Sequence, residues 1–347
     1  MGTRLGWRAG ARAMGGLLAA FFLLAAAESA AEAEPVKIGA VKIAAVGPIY
    51  IAVERGYFAA AGLEPELVYF DAAEPIAVAA ASGAIDFGVT GVSAGLYNLA
   101  GQGAVKIVAA QAHEAKGYQV NGFIVSNAAF DAGLTSFKEL GGHSIAVAQI
   151  GSPLHYAAAL VAEKYGVALA SLRFLPLQAN ANILTAVAGG RADTGVVPAT
   201  ALAPVLARGA IKLLGWIGDE TPWQSSAIFA SSRTVVERAD FVRSFLTAFR
   251  RGTRDYHAAF SAADGTRRDG PTAPEILAIL AKYTGQSEQQ LRTGIAYIDA
   301  EGRIDLADMQ RQIAWFAGQR MLKSEIPIDA VVDRASVIPL PAKLIPR

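Results

Sequence analysis

The residues that come nearest to a catalytic motif are Gly91, Val92, Ser93, Ala94 and Gly95. They have the G-x-S-x-G form of a nucleophile elbow, placed between an expected strand and an expected helix. A serine hydrolase also needs an oxyanion-hole segment upstream, and the chain has no HGG-like run. It needs an acid and then a histidine after the serine. The histidines are His113, His143, His155 and His257, and His257 falls on the expected surface of a long helix. There is no H-E-x-x-H, paired-histidine cluster, phosphate loop or G-x-G-x-x-G, so metal and nucleotide enzymes find no support. The chain has no cysteine, which removes disulfides, thiolate metal sites and a lipid-anchored cysteine. The reading is therefore of a binding protein without catalytic residues, metal or cofactor, with a serine hydrolase as a minor alternative.

What remains is binding chemistry. Ser93 and Ser152 stand where helices should begin and match the N-cap preference. A helix N-terminus also offers free N–H groups and a favourable dipole to an anion. Seven loop stretches share this polar, turn-rich character: 47–50, 71–74, 90–93, 149–155, 178–182, 198–200 and 216–223. None contains Lys or Arg, so two helix starts facing across a cleft would hold a sulfonate, carboxylate or nitrate without a formal cation. The acidic Asp71, Glu74, Asp219 and Glu220 leave an amine-bearing or cationic ligand open as the other reading. Candidate ligand-binding residues in these stretches are Pro48, Tyr50, Asp71, Glu74, Thr90, Val92, Ser93, Gly151, Ser152, Gln178, Asn180, Pro198, Trp216 and Asp219. Tyr50, Trp216 and Trp223 are aromatics that would stack on a ligand, or serve only as core or hinge packing.

An internal repeat supplies the elements that position these loops. Residues 76–91, IAVAAASGAIDFGVTG, match residues 183–198, ILTAVAGGRADTGVVP, at an offset of 107. Ile76 pairs with Ile183, Gly83 with Gly190, Asp86 with Asp193, Gly88 with Gly195 and Val89 with Val196. The preceding segments 67–75 and 174–182 align, and so do 47–63 and 151–167. Each copy reads strand, helix, strand, helix, strand, helix, which predicts an α/β fold with a mostly parallel sheet in each of two lobes. Ligands in such sheets lie beyond the carboxyl ends of the strands. Lobe one is expected over 36–117 plus 225–345 and lobe two over 121–218, with crossings near 113–122 and 218–226. Phe241, Phe245, Leu246 and Phe249, then Met309, Ile313, Phe316 and Ala317, recur at helical spacing as buried faces packed on lobe one. Arg250, Arg251 and Arg254 read as a solvated face.

Residues 1–33 differ from the rest. Arg4, Arg8 and Arg12 precede an apolar run from Met14 to Ala27, and small residues follow at Ala27, Ala31 and Ala33. That succession is a cleavable secretory signal peptide, and the run is shorter than the roughly 20 residues a membrane span needs. The whole chain has 31 basic and 30 acidic side chains. Without three arginines and two glutamates the mature chain would carry a formal charge of zero, which speaks against nucleic acid as a partner. The mature protein is expected to be periplasmic and soluble.

The pieces A-x-E-R-G-Y-F (52–58), A-G-L (61–63), G-A-I-D-F-G (83–88) and A-G-G-R-A-D-T-G-V-V-P (188–198) together carry a resemblance. The chain resembles the periplasmic binding proteins for aliphatic sulfonates, taurine, nitrate and thiamine-precursor pyrimidines, from residue 36 to about 260. The resemblance implies the two-lobed type II binding-protein fold, a monomer, and a role delivering a small molecule to an ABC permease in the inner membrane. It implies ligand contacts at Pro48 and Tyr50, at the Thr90–Ser93 turn and at Ser152. An enzymatic branch of the superfamily relies on a cysteine-rich motif that this chain lacks. A periplasmic sensor on the same fold is the alternative of another class.

Overall fold

The computed structural model describes residues 1–3 and 33–341. The signal-peptide expectation rests on residues 4–32, which lie outside the described residues. Ten strands form two sheets of five. They are β1 (Glu34–Ala40), β2 (Leu63–Tyr69), β3 (Phe87–Gly91), β4 (Val105–Glu114), β5 (Asn121–Ser126), β6 (Ser144–Val147), β7 (Arg173–Pro176), β8 (Thr194–Pro198), β9 (Ile211–Trp216) and β10 (Trp223–Ser231). The principal helices are α1 (Gly47–Glu54), α2 (Ala73–Ser82), α3 (Ala94–Gly101), α4 (Pro153–Lys164), α5 (Asn180–Ala188), α6 (Ala239–Phe260), α7 (Ala273–Thr284) and α8 (Leu306–Gly318).

The sheet orders are β2-β1-β3-β10-β4 and β7-β6-β8-β5-β9. Three strands of each first repeat run parallel, and the fourth position is taken by a strand that pairs antiparallel on both sides. That strand is an exchange. The chain leaves the first sheet after β4 and enters the second as β5, then leaves after β9 and returns as β10. One residue of each link touches the other, because the Gly117 amide donates to the Asp219 carboxylate at 2.8 Å.

The repeat has a structural cause at each of its residues. Strands β3 and β8 begin and end at positions 107 apart, as α2 and α5 begin. Gly83 caps α2 at φ +78° and Gly190, one residue past the Gly189 cap of α5, has φ +68°, where a side chain would be strained. A Cβ on Gly88 would lie 2.9 Å from Ile76 Cγ2, and one on Gly195 would lie 2.7 Å from Ile183 Cγ2. Each Gly–Ile pair thus lets a helix sit close on its sheet. Asp86 accepts from the Lys37 amide at 2.9 Å and Asp193 from the Ser144 amide at 2.8 Å. Lys37 and Ser144 are themselves 107 apart. The duplicated aspartates fasten β1 to the start of β3 and β6 to the start of β8.

Helix α6 buries Phe241, Phe245, Leu246 and Phe249 as its spacing predicts. Its arginines divide. Arg251 and Arg254 are exposed, but Arg250 is half-buried and donates to the Ser336 carbonyl at 2.8 Å, so the solvated-face reading fails there. In α8, Met309, Ile313 and Phe316 are buried while Ala317 is exposed, because it falls outside the apolar stripe. The helix packs on α3 and β10 of the first lobe and also on α4 of the second. One apolar cluster runs through both lobes, from Leu96 and Trp223 through Tyr156 and Phe316 to Phe123 and Ile145. No helix among the described residues is long and apolar enough to cross a membrane.

Candidate ligand cleft

The ends of the parallel strands from both lobes face one another, and a cavity of about 190 Å³ lies between them. From the first lobe it is lined by Ile43, Ala44 and Ala45 after β1, by Gly91 at the end of β3, and by Trp223, Ser225 and Ser226 on β10. From the second come Asn121 at the start of β5, Pro153 and Leu154 at the start of α4, and Pro198 and Thr200 at the end of β8. Val120 and Gly294 complete it. No lining side chain carries a charge.

Two polar side-chain atoms on this wall are buried and have no hydrogen-bond partner, Trp223 Nε1 and Ser226 Oγ. An indole N–H can only donate. Leaving it unpaired in the interior is unfavourable by about 1–3 kcal/mol. Leu154 adds an amide from the first turn of α4, a turn whose N–H groups no intrahelical carbonyl reaches.

Behind the wall lies a polar group of side chains on β4. Gln111 donates to the Ala45 carbonyl, and Glu114 accepts from Asn121 Nδ2. Burial pushes the Glu114 carboxyl up to about 8, with the Asn121 bond pulling the other way. Burial likewise pushes the neighbouring His113 down to about 4. Glu114 Oε2 has no partner.

The expected site residues separate into three groups. Thr90, Val92, Ser93, Gly151, Ser152 and Pro198 gather where the lobes meet. There Ser93 Oγ accepts from the Leu96 amide at 3.2 Å and Ser152 Oγ from the His155 amide at 3.3 Å. Both serines are helix caps, and the G-x-S-x-G segment is a capped helix start. His155 accepts the Gly151 N–H on Nδ1 at 3.1 Å, and burial holds its imidazole down to about 4.

A second group is withdrawn from the cavity. Pro48 and Tyr50 sit inside α1, where Tyr50 is fully buried, donates to the Val41 carbonyl at 3.3 Å and stacks on Tyr283. The mouth loop after β1 is 41–46, not 47–50, because the chain turns into helix earlier than the Gly-Pro signal suggests. That loop contains Lys42, so the mouth does hold one basic residue, with its Nζ 4.7 Å from the centre of the Tyr69 ring. Trp216 packs on the second lobe's core with Leu202.

The third group lies at the rim or the links. Asp71, Gln178 and Asn180 are exposed, and Glu74 sits beside the start of α3, its Oε1 3.5 Å from a Cβ placed on Gly95. Asp219 ties the two links together. It also borders a wider opening of about 870 Å³ with Lys116, Lys164, Glu220, Asp305 and Arg311. That opening carries side chains of both signs and no strand ends, so the smaller cavity is the better candidate. Sequence reasoning missed Asn121, Leu154, Ser225 and Ser226. The polar run WQSS after the second link was the available signal.

Solved structures share this architecture. The periplasmic aliphatic sulphonate binding protein SsuA from Escherichia coli superposes with a TM-score of 0.68 at 18% identity, covering 89% of this chain and 94% of that one. The periplasmic nitrate-binding protein NrtA from Synechocystis PCC 6803 gives 0.63 at 14%, covering 87% and 86%. The desulfurization enzyme DSZB gives 0.58 at 14%, covering 90% and 97%, so an enzyme also uses this fold. No curated protein matches the sequence. The family described as NMT1/THI5 like matches over residues 44–261, well over half of the chain. This protein has the periplasmic binding protein fold and belongs to the NMT1/THI5-like family.

Proposed function

We propose that the chain is the solute-binding component of an ABC importer and that it captures a small organic acid in the interlobe cavity. The observation that supports the ligand class is that Trp223 and Ser226, two residues that line the cavity, each carry a buried N–H or hydroxyl with no protein partner. Donors that meet no protein acceptor suit a carboxylate or sulfonate, which accepts several hydrogen bonds at once. The cavity has room for about six waters at ~30 Å³ each, the scale of a compact metabolite. The apolar Ile43, Leu154, Pro153 and Pro198 would cover the rest of the molecule.

An amine-bearing ligand, such as an aminopyrimidine, is the second reading. Glu114 supports it, since its unpartnered oxygen lies behind Asn121 on the same wall. A thermal-shift screen separates the two with alkyl sulfonates, taurine, aromatic carboxylates, nitrate and aminopyrimidines. A ligand at 100 times its Kd adds about 2.7 kcal/mol of stability. Stabilisation by acids alone supports the first reading, and by aminopyrimidines alone the second.

The structural likeness to periplasmic binding proteins and the expected leader support the importer role and periplasmic location. Ile43 and Ile150, at matching places in the two copies, are 40% and 47% exposed beside the cleft and suit contact with a permease. Adjacent permease and ATPase genes would support transport. A neighbouring signalling gene without them would favour the sensor. N-terminal sequencing of periplasmic protein should find a start between Glu28 and Glu34, and an intact N-terminus in washed membranes would contradict export.

A further inference from the structure

Helix α8 lies on the first lobe, yet several of its side chains also reach into the second. Tyr156 on α4 is fully buried, and its ring packs between Trp315 and Phe316 of α8 and Trp223 of β10. The Tyr156 hydroxyl donates to Asp308 Oδ1 at 3.4 Å and accepts from Arg311 Nε at 3.1 Å. Asp308 is in turn held to the first lobe, accepting the Gln224 amide of β10 at 2.7 Å and Gln312 Nε2 at 2.8 Å. A turn further on, Trp315 Nε1 donates to Glu163 Oε1 of α4 at 3.2 Å.

We infer that α8 is a latch, in which Tyr156, Asp308, Arg311 and Trp315 hold the second lobe against the first and set how readily the cleft opens. All four act from outside the ligand cavity, since none lines it. If the lobes part as rigid bodies, the Tyr156 hydroxyl must leave a buried carboxylate and its ring must leave three aromatic neighbours. Alternatively α8 must travel with the second lobe, which would break the bond from the Gln224 amide of β10 to Asp308. Either way these contacts oppose opening. The latch is independent of what the cavity binds.

The chain has no cysteine, so a pair of spin labels can be introduced at Val78→Cys and Thr185→Cys without removing any native thiol. These positions are exposed, repeat-related, and on opposite lobes. Pulsed dipolar spectroscopy then reads the interlobe distance directly in the otherwise unaltered protein and in Tyr156→Phe, Trp315→Phe and Arg311→Gln backgrounds. Each substitution removes a hydrogen bond across the lobes and keeps most of the side chain's bulk. The latch predicts a shift of the distribution to longer distances in all three. An unchanged distribution in folded variants overturns it, including the case in which melting temperature falls while the distance stays put. Arg311, which is half exposed, guards against a variant that fails to fold.

Discussion

The backbone amide of Ala94 donates to the carbonyl of Gly151 at 3.0 Å, joining the first turn of α3 in one lobe to the loop before α4 in the other. The two turns that sequence alone assigns to a ligand's anionic group therefore touch each other. Gly91 makes the approach possible, since a Cβ there would lie 2.7 Å from Pro153 Cγ. Gly91→Ala should wedge the lobes apart, because overpacking against a rigid ring costs about 1–3 kcal/mol if the turns stay together. Small-angle scattering should show a larger radius of gyration with unchanged circular dichroism. An unaltered radius would mean that the turns yield locally.

Trp223 and Ser226 should carry the affinity. Trp223→Phe keeps an aromatic ring and removes the donor, and Ser226→Ala removes the hydroxyl. A hydrogen bond to a charged acceptor is worth about 1.5–3 kcal/mol, so each variant should weaken an acid's binding about 10- to 100-fold. Calorimetry with the best acid from the screen measures this. Ser93→Ala should instead lower stability by about 1 kcal/mol as a lost helix cap, with a smaller effect on binding.

Stability should peak near pH 6.5. Glu114 holds its proton up to about 8 when folded, against an ordinary value of 4.5. Between those values the folded state carries a proton that the unfolded chain has lost, so this group makes stability fall as pH rises. His113 and His155 are pushed down to about 4 from 6.5, so between those values the unfolded chain binds the extra protons and stability rises with pH. Two histidines oppose Glu114 below pH 6.5, and above it Glu114 lowers stability with a slope of at most about 1.4 kcal/mol per pH unit, in the same direction as Asp308, whose carboxyl burial also raises. Melting curves from pH 6.5 to 8 should show the decline, and Glu114→Gln should make it shallower. A Glu114→Gln protein with the same decline would place its origin elsewhere.

The duplicated aspartates should matter for folding and not for binding. Asp193→Ala leaves the Ser144 amide and hydroxyl without their acceptor, at a cost of about 1–3 kcal/mol. Chemical denaturation should register that loss while ligand affinity at 25 °C changes little. A large loss of affinity in folded Asp193→Ala would give the repeat a functional meaning.

These residues also show what a single sequence reveals. The repeat was legible because Gly83, Gly88, Asp86 and Ile76 each answer a local demand of strand–helix packing, and both lobes make the same demand. The exchanged strands were not. Strand β10 has register shifts between Gln224 and Ser226 and between Ser226 and Ala227, which break the alternation that marks a strand. Its polar start reads as a linker and hides the wall of the cavity. Tyr50 was misplaced for the opposite reason, since a tyrosine after Gly-Pro looks like a loop aromatic until the helix that begins at Gly47 buries it. The role of α8 depends on contacts 152–155 residues apart, which no local pattern encodes.

A small acid held between the lobes on Trp223 and Ser226 should stay with the protein through purification. Mass spectrometry of what is released when the purified protein is denatured, with Trp223→Phe prepared in parallel, tests this directly. A small carboxylate or sulfonate should be recovered at near one per chain from the natural sequence, and depleted in Trp223→Phe. Recovery of an amine-bearing compound, or equal recovery of the acid from Trp223→Phe, would contradict it.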